Sequence, residues 1–221
     1  MSTTKDSPLY RNPADTDLKF FSAVTASVTH ELNNVLSIIN QTGGLLEDLL
    51  YGVSQGETIQ PEQLERIAGK INVQTERGIG IIRRLNNFSH SCDENTSELD
   101  IYEITAAITG LSQRLADMAR VNLTTDRTNS ESVIVHNNPL KIQQIIFLIL
   151  REIFKAASKD DGAGLMTKKT DNGAIISIVH TFSGEPYAPE LSIIGKIAEE
   201  IGGRVETVKA EKVLIYNITI T

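Results

Sequence analysis

The chain has 221 residues, 40% of them hydrophobic and 22% charged, with a formal net charge of −7. That length allows one large or two small domains with packed cores, and the acidity argues against a nucleic-acid partner, which calls for a basic surface. No apolar run approaches membrane-spanning length and no signal-peptide core follows Met1, so the sequence points to neither a membrane nor export.

Residues 1–13 are polar and read as a flexible N-terminus. A helical pattern then runs from about Ala14 to Leu50, with Phe21, Thr25, Val28, Leu32, Val35, Ile39, Thr42, Leu46 and Leu49 in steps of four and three. That is the seam of a coiled coil or helical bundle. "YGVSQGETIQP" breaks it, and Pro61 opens a second helix with a stripe of Leu64, Ile67, Ile71, Ile82, Leu85 and Phe88. Gly78 and Gly80 interrupt that helix and leave open whether they serve close helix approach or bending. Two such helices carry more apolar stripe than one hairpin buries, so residues 14–90 are expected to form a helical hairpin that dimerises into a four-helix bundle.

"SHSCDENTSEL" reads as a polar break between domains. The single Cys92 within it cannot form an intrachain disulfide, which fits a reducing cytoplasm. His90 lies nearby, but nothing completes a zinc site with the pair. Beyond the break, Ile101 to Arg120 reads as a helix, "VNLTT" and "SVIVH" as strands, and "NPLKIQQIIFLILREIFKAAS" as an apolar helix opened by Asn138 and Pro139. "GLMTKKT", "DNG" and "AIISIVH" predict a hairpin whose Asn-Gly supplies positive φ values. Leu191 to Ile201 is a helix stopped by Gly202 and Gly203, and two strands close the chain. The fold class is therefore α+β: a helical hairpin followed, over residues 98–221, by a two-layer α/β sandwich.

One residue in the first helix stands out. Each helical residue turns by about 100°, so His30 lies roughly 200° round from Val28, opposite the apolar seam. Ala23, Ala26, Asn33, Asn34, Ser37 and Gln41 share that outer half. The small neighbours leave room for another protein to reach the ring. A solvated surface histidine fits this position too. Imidazole is a competent nucleophile when neutral, and Glu31 is placed to hold one ring nitrogen while the other attacks. Asn34, one turn on, could orient a water or a phosphoryl oxygen.

"THELNNVLSIINQTGGLLEDLL" resembles the phospho-acceptor box of bacterial sensor histidine kinases, a His-Glu pair and an Asn on the first helix of a dimeric hairpin. The order of elements from about residue 18 to the C-terminus is similar to theirs. The resemblance implies that His30 is the phosphorylated residue, Glu31 its acid/base neighbour, and Asn34 the last member of the Glu-x-x-Asn pattern used to dephosphorylate a partner.

The C-terminal half resembles the ATPase domain of those kinases with its nucleotide chemistry removed. Glu152 stands where the family has an Asn for Mg²⁺ and phosphate. In "HTFSG" His180 replaces the adenine-binding Asp and Phe182 the first glycine, while Gly184 is kept. Ala188 and Glu190 replace glycines of the phosphate loop, where side chains obstruct a phosphate cradle. This combination is similar to dimeric histidine phosphotransferases that have lost ATP binding. The resemblance implies a cytoplasmic homodimer in a two-component phosphorelay, with response-regulator receiver domains as partners and no cofactor of its own, Mg²⁺ being carried by the receiver. The alternatives are a divergent kinase that autophosphorylates His30, a phosphatase acting through Glu31 and Asn34, and a non-catalytic regulator.

Overall fold

The computed structural model describes residues 13–93, 95–126, 132–159, 161–183 and 191–221. Residues 1–12, read above as flexible, and Gly184, Ala188 and Glu190 lie outside the described residues; Pro13 already belongs to the first helix.

Two long helices, α1 (Pro13–Ser54) and α2 (Pro61–His90), form an antiparallel hairpin. α1 runs beyond the expected end at Leu50 and stops where Gly56 takes a positive φ of 96°. In α2, Pro61 sits in the first turn, and the Gln63 side chain accepts a hydrogen bond from the Gln60 N–H at 3.0 Å. The seam read from the sequence divides in two. Val28, Val35 and Thr42 are buried with Ile67, Gly78 and Ile81 inside the hairpin. Leu32, Leu36, Ile39, Leu46, Leu50 and Val53 form a second row beside it; Leu32, Ile39 and Leu46 are half-buried, while Leu36, at 60%, and Leu50, at 56%, face outward. Near the N-terminus the buried residues are Phe20 and Val24 rather than Phe21 and Thr25. There α1 turns its face to the second domain as well as to α2.

That domain is β1 (Ser97–Asp100), α3 (Ile101–Ala119), β2 (Asn122–Asp126), β3 (Ile134–Asn137), α4 (Pro139–Ala156), β4 (Gly162–Thr170), β5 (Gly173–Thr181), α5 (Ser192–Glu200), β6 (Arg204–Ala210) and β7 (Val213–Ile220). Five strands form a mixed sheet in the order β2-β4-β5-β7-β6, with only β2 and β4 parallel. Its inward residues, among them Ile176, Ile178, Tyr216 and Ile218, are fully buried in one core with Ile108 of α3 and Ile145, Ile146 and Ile149 of α4. Helices packed over one face of a sheet make the expected two-layer sandwich. β1 pairs antiparallel with β3 and was missed in the sequence, because it falls in the polar break and only Leu99 among its residues is buried.

Local chemistry sets the element ends. Asp100 caps α3 by accepting from the Tyr102 N–H at 2.9 Å, and Asn138 caps α4 by accepting from the Lys141 N–H at 2.9 Å. The β4–β5 turn differs from expectation: Asp171 and Asn172 occupy it without positive φ, and Gly173 alone has φ of 156°. A side chain on Gly173 would overlap the Ile220 carbonyl, so the glycine serves a close strand approach.

The hairpin and sandwich meet through the first turns of α1. Phe20 packs edge-on against Phe88, with ring centroids 5.3 Å apart, and at a tilt against Phe147 of α4, 5.1 Å away. Asp17 accepts from Lys141 Nζ at 2.9 Å and from Gln144 Nε2 at 2.9 Å.

Candidate phosphoacceptor site on the helical hairpin

His30 is exposed on α1, as are Asn33 and Asn34. Regular helix runs through all three, and Ser37 ties back to the Asn33 carbonyl at 2.8 Å. Among the described residues no hydrogen bond or ion pair engages the His30 ring. The ring borders a shallow groove of ≈ 570 Å³ that Phe21, Thr25, Ala26 and Asn33 also line. Ala23, expected beside it, is half-buried against the core instead. The outer apolar row of Leu36 and Ile39 lies on the opposite side of the helix from His30, so a surface that buries that row leaves the imidazole free.

Glu31 takes a partner the sequence did not suggest. Neighbouring helix residues point about 100° apart, and the Glu31 side chain is turned in toward α2, only 14% exposed, where its Oε1 accepts from Arg77 Nη2 at 3.2 Å. His30 and Asn34 thus share an outer face, while Glu31 sits at its edge. Arg77 belongs to a row on α2 that includes Lys70 and Val73; these two and Gln41 of α1 line a further groove of ≈ 470 Å³. A reading of α2 for its apolar stripe alone passes over this row, although its spacing of three and four is visible in the sequence.

Glu152 and His180, singled out above by the resemblance, both have charged neighbours. Glu152 is paired with Lys155 at 2.5 Å and Arg151 at 3.3 Å. His180, at the end of β5, is 3% exposed, 3.8 Å from Asp161 and stacked obliquely near Phe182 at 5.7 Å. Neither of its ring nitrogens has a hydrogen-bond partner among the described residues. Burial lowers the His180 pKa, against the pull of Asp161, which raises it. Burial also acts to raise the Asp161 pKa, but hydrogen bonds from Ser158 and Ser183, with His180, bring it below its ordinary value. No group of three or more metal-ligating side chains occurs among the described residues.

The depressed His180 pKa makes stability depend on pH. The unfolded chain takes up this proton first, at the ordinary value of 6.5. Stability is therefore full above that value and falls as the pH drops below it, until the lower folded value is passed. Denaturant titrations from pH 7.5 to 4.5 should show this loss, with a slope of at most about 1.4 kcal/mol per pH unit. His180→Leu should flatten the profile over that window. An equally steep profile in the variant would place the sensitivity elsewhere.

No family model matches the sequence, and no curated protein does. Solved structures match well. The nucleotide-free catalytic domain of histidine kinase ThkA superposes with a TM-score of 0.51 at 16% identity, over 57% of this chain and 95% of that one. Histidine kinase ThkA in complex with response regulator protein TrrA matches over 92% of this chain and 62% of that chain, with a TM-score of 0.50 at 18% identity. This chain has the fold of a histidine kinase core. A bacterial phosphotransferase has the same arrangement over 96% of this chain and 99% of its own, with a TM-score of 0.50 at 11% identity. In this kinase-core fold α1 and α2 form the helical part, His30 stands on its outer face, and the sandwich follows.

Proposed function

We propose that this chain is a histidine phosphotransferase of a two-component phosphorelay, carrying a phosphoryl group between receiver-domain aspartates on His30. The observation that carries the reading is the exposed, unengaged imidazole beside a shallow groove, in a kinase-core fold. Supporting it, His180 and Phe182 are buried where the resemblance expects an adenine-binding Asp and a glycine, and Glu152 is held by two cations. These features favour transfer between proteins over autophosphorylation from ATP. The ThkA complex with a response regulator favours receiver domains as the partner class.

The chemistry asks little of this chain. A neutral imidazole presents a nitrogen lone pair in line with the acyl phosphate, and the receiver supplies Mg²⁺ and most of the charge stabilisation. Glu31 and Asn34 are the residues placed to manage the ring proton and to orient a phosphoryl oxygen or water. No cofactor of its own is needed. Among the described residues no helix is long and apolar enough to cross a membrane; the cytoplasm is the compartment this partner class implies. The test is incubation with phosphorylated receiver domains from the same cell, followed by a search for acid-labile, base-stable label. Label should arrive from a receiver, and ATP–Mg²⁺ alone should leave the chain unlabelled. Labelling by ATP would favour the divergent kinase.

The working form in this reading is a homodimer. The outer row of α1 and the exposed Leu64, Ile79 and Ile82 of α2 form an apolar side wide enough for a second hairpin. Leu36→Glu with Ile82→Glu should convert the dimer to a monomer in light scattering while helicity is retained. A wild-type chain that is monomeric at micromolar concentration would refute the dimer.

A further inference from the structure

We infer that Arg77 is a positioning residue for this site: it holds the Glu31 carboxylate against α2, off the His30 ring, until an oxygen anion on the partner draws the guanidinium away. The purpose of the device rests on the phosphotransfer reading; its geometry does not.

Three observations lead to it. The Glu31 side chain is 14% exposed and that of Arg77 50%. Glu31 is thus the anchored partner and Arg77 the accessible one. The pair makes one contact, Nη2 to Oε1 at 3.2 Å, although a guanidinium has five N–H donors. Arg77 therefore has donors left for a second anion, and an ion pair with one exposed member exchanges readily. Finally, Gly78 follows Arg77 directly and faces Val35, one turn beyond Glu31. A Cβ on Gly78 would meet Val35 Cγ1 at 3.4 Å. The glycine gives the two helices their close approach at this level, and that approach puts Arg77 within reach of Glu31.

Once Arg77 leaves, the Glu31 carboxylate has lost its hydrogen-bond partner across the hairpin. A rotamer change then turns the freed carboxylate from α2 toward the Nδ1–H of His30, the preceding residue on α1. The step then balances. The Nε2 lone pair of the neutral imidazole forms the N–P bond. The bond from phosphorus to the aspartyl oxygen breaks, and its electron pair leaves with the carboxylate. Nδ1 keeps its proton, the ring becomes cationic, and Glu31 accepts the Nδ1–H hydrogen bond and offsets that charge. Arg77, released, stays paired with the partner's docking anion, away from the reacting atoms. Docking and activation are thereby coupled, because the cation that greets the partner is the one that frees Glu31.

The readout that needs no activity is ¹⁵N NMR of the His30 ring in the intact chain, which reports which nitrogen carries the proton. Arg77→Met should raise the Nδ1–H tautomer several-fold, and Arg77→Lys should restore the wild-type distribution. In a Glu31→Gln background Arg77→Met should change nothing, since the coupling runs through Glu31. With a phosphorylated receiver domain as probe, Arg77→Met should raise KM severalfold and leave kcat equal or higher. An unchanged tautomer in Arg77→Met, or an equal change with Glu31→Gln present, overturns the inference, as does a loss of kcat at unchanged KM. If the tautomer shifts as stated while no receiver labels wild-type protein, the phosphotransfer reading fails and the Arg77–Glu31 linkage stands.

Discussion

His30→Gln should abolish labelling by every phosphorylated receiver domain while leaving the fold and its association unchanged. The side chain is exposed and engages no partner among the described residues, so its replacement should alter stability by less than about 0.5 kcal/mol. Glutamine keeps a polar tip of similar reach but has no nucleophilic lone pair on nitrogen. Loss of label with an unchanged melting curve therefore assigns the chemistry to the ring. Two companions sharpen the result. Glu31→Ala should slow transfer, by about tenfold to a thousandfold if proton handling limits the step. Asn34→Ala separates transfer from dephosphorylation: if it alone abolishes activity toward phosphorylated receivers and His30→Gln is neutral, the protein is a phosphatase. Equal labelling of His30→Gln and wild type would end the phosphotransfer reading.

Phe20→Ala should be the most damaging single change at the junction, at about 3–5 kcal/mol. Phe20 is 2% exposed and joins three elements, contacting Phe88 of α2 and Phe147 of α4. A loss of that size is a large share of the stability of a typical domain. Phe21 is the control. It stacks on Phe88 at 5.4 Å yet is 38% exposed, so Phe21→Ala should cost distinctly less. Equilibrium denaturation of both variants would decide it. Equal costs, or a loss under about 1 kcal/mol for Phe20→Ala, would mean that the junction is not part of the core.

The fold was legible because its signals are periodic and local. Steps of four and three mark α1 and α2, Asn138 and Pro139 start α4, and alternating β-branched residues give β5 and β7. What escaped has physical reasons. β1 is short, polar and stabilised by pairing with a strand more than thirty residues away, which no local pattern records. Whether an apolar residue of α1 faces α2, the sandwich or the outside depends on three neighbours at once, so the sequence showed one seam where the structure has two and favoured Phe21 over Phe20. At the site, the outward placement of His30 followed from helix geometry alone. The Glu31–Arg77 pair did not, since it joins residues 46 positions apart. The odd chemistry at His180 was visible as a departure from a motif, but its burial beside Phe182 was not.

The clasp between Asp17 and Lys141 spans 124 residues of chain, and this bears on the order in which the molecule is made. During synthesis α1 leaves the ribosome before α4, and the surface that receives its opening turns does not exist until α4 has emerged and packed on the sheet. Contacts so distant in sequence form late, because loop closure must precede any gain from them. For that interval Phe20 and Val24, buried in the finished fold, sit on an uncovered helix end, the kind of apolar surface that invites aggregation or chaperone binding. The nascent hairpin is thus completed from its turn toward its open end, and the end nearest His30 is finished only when the sandwich packs against its base.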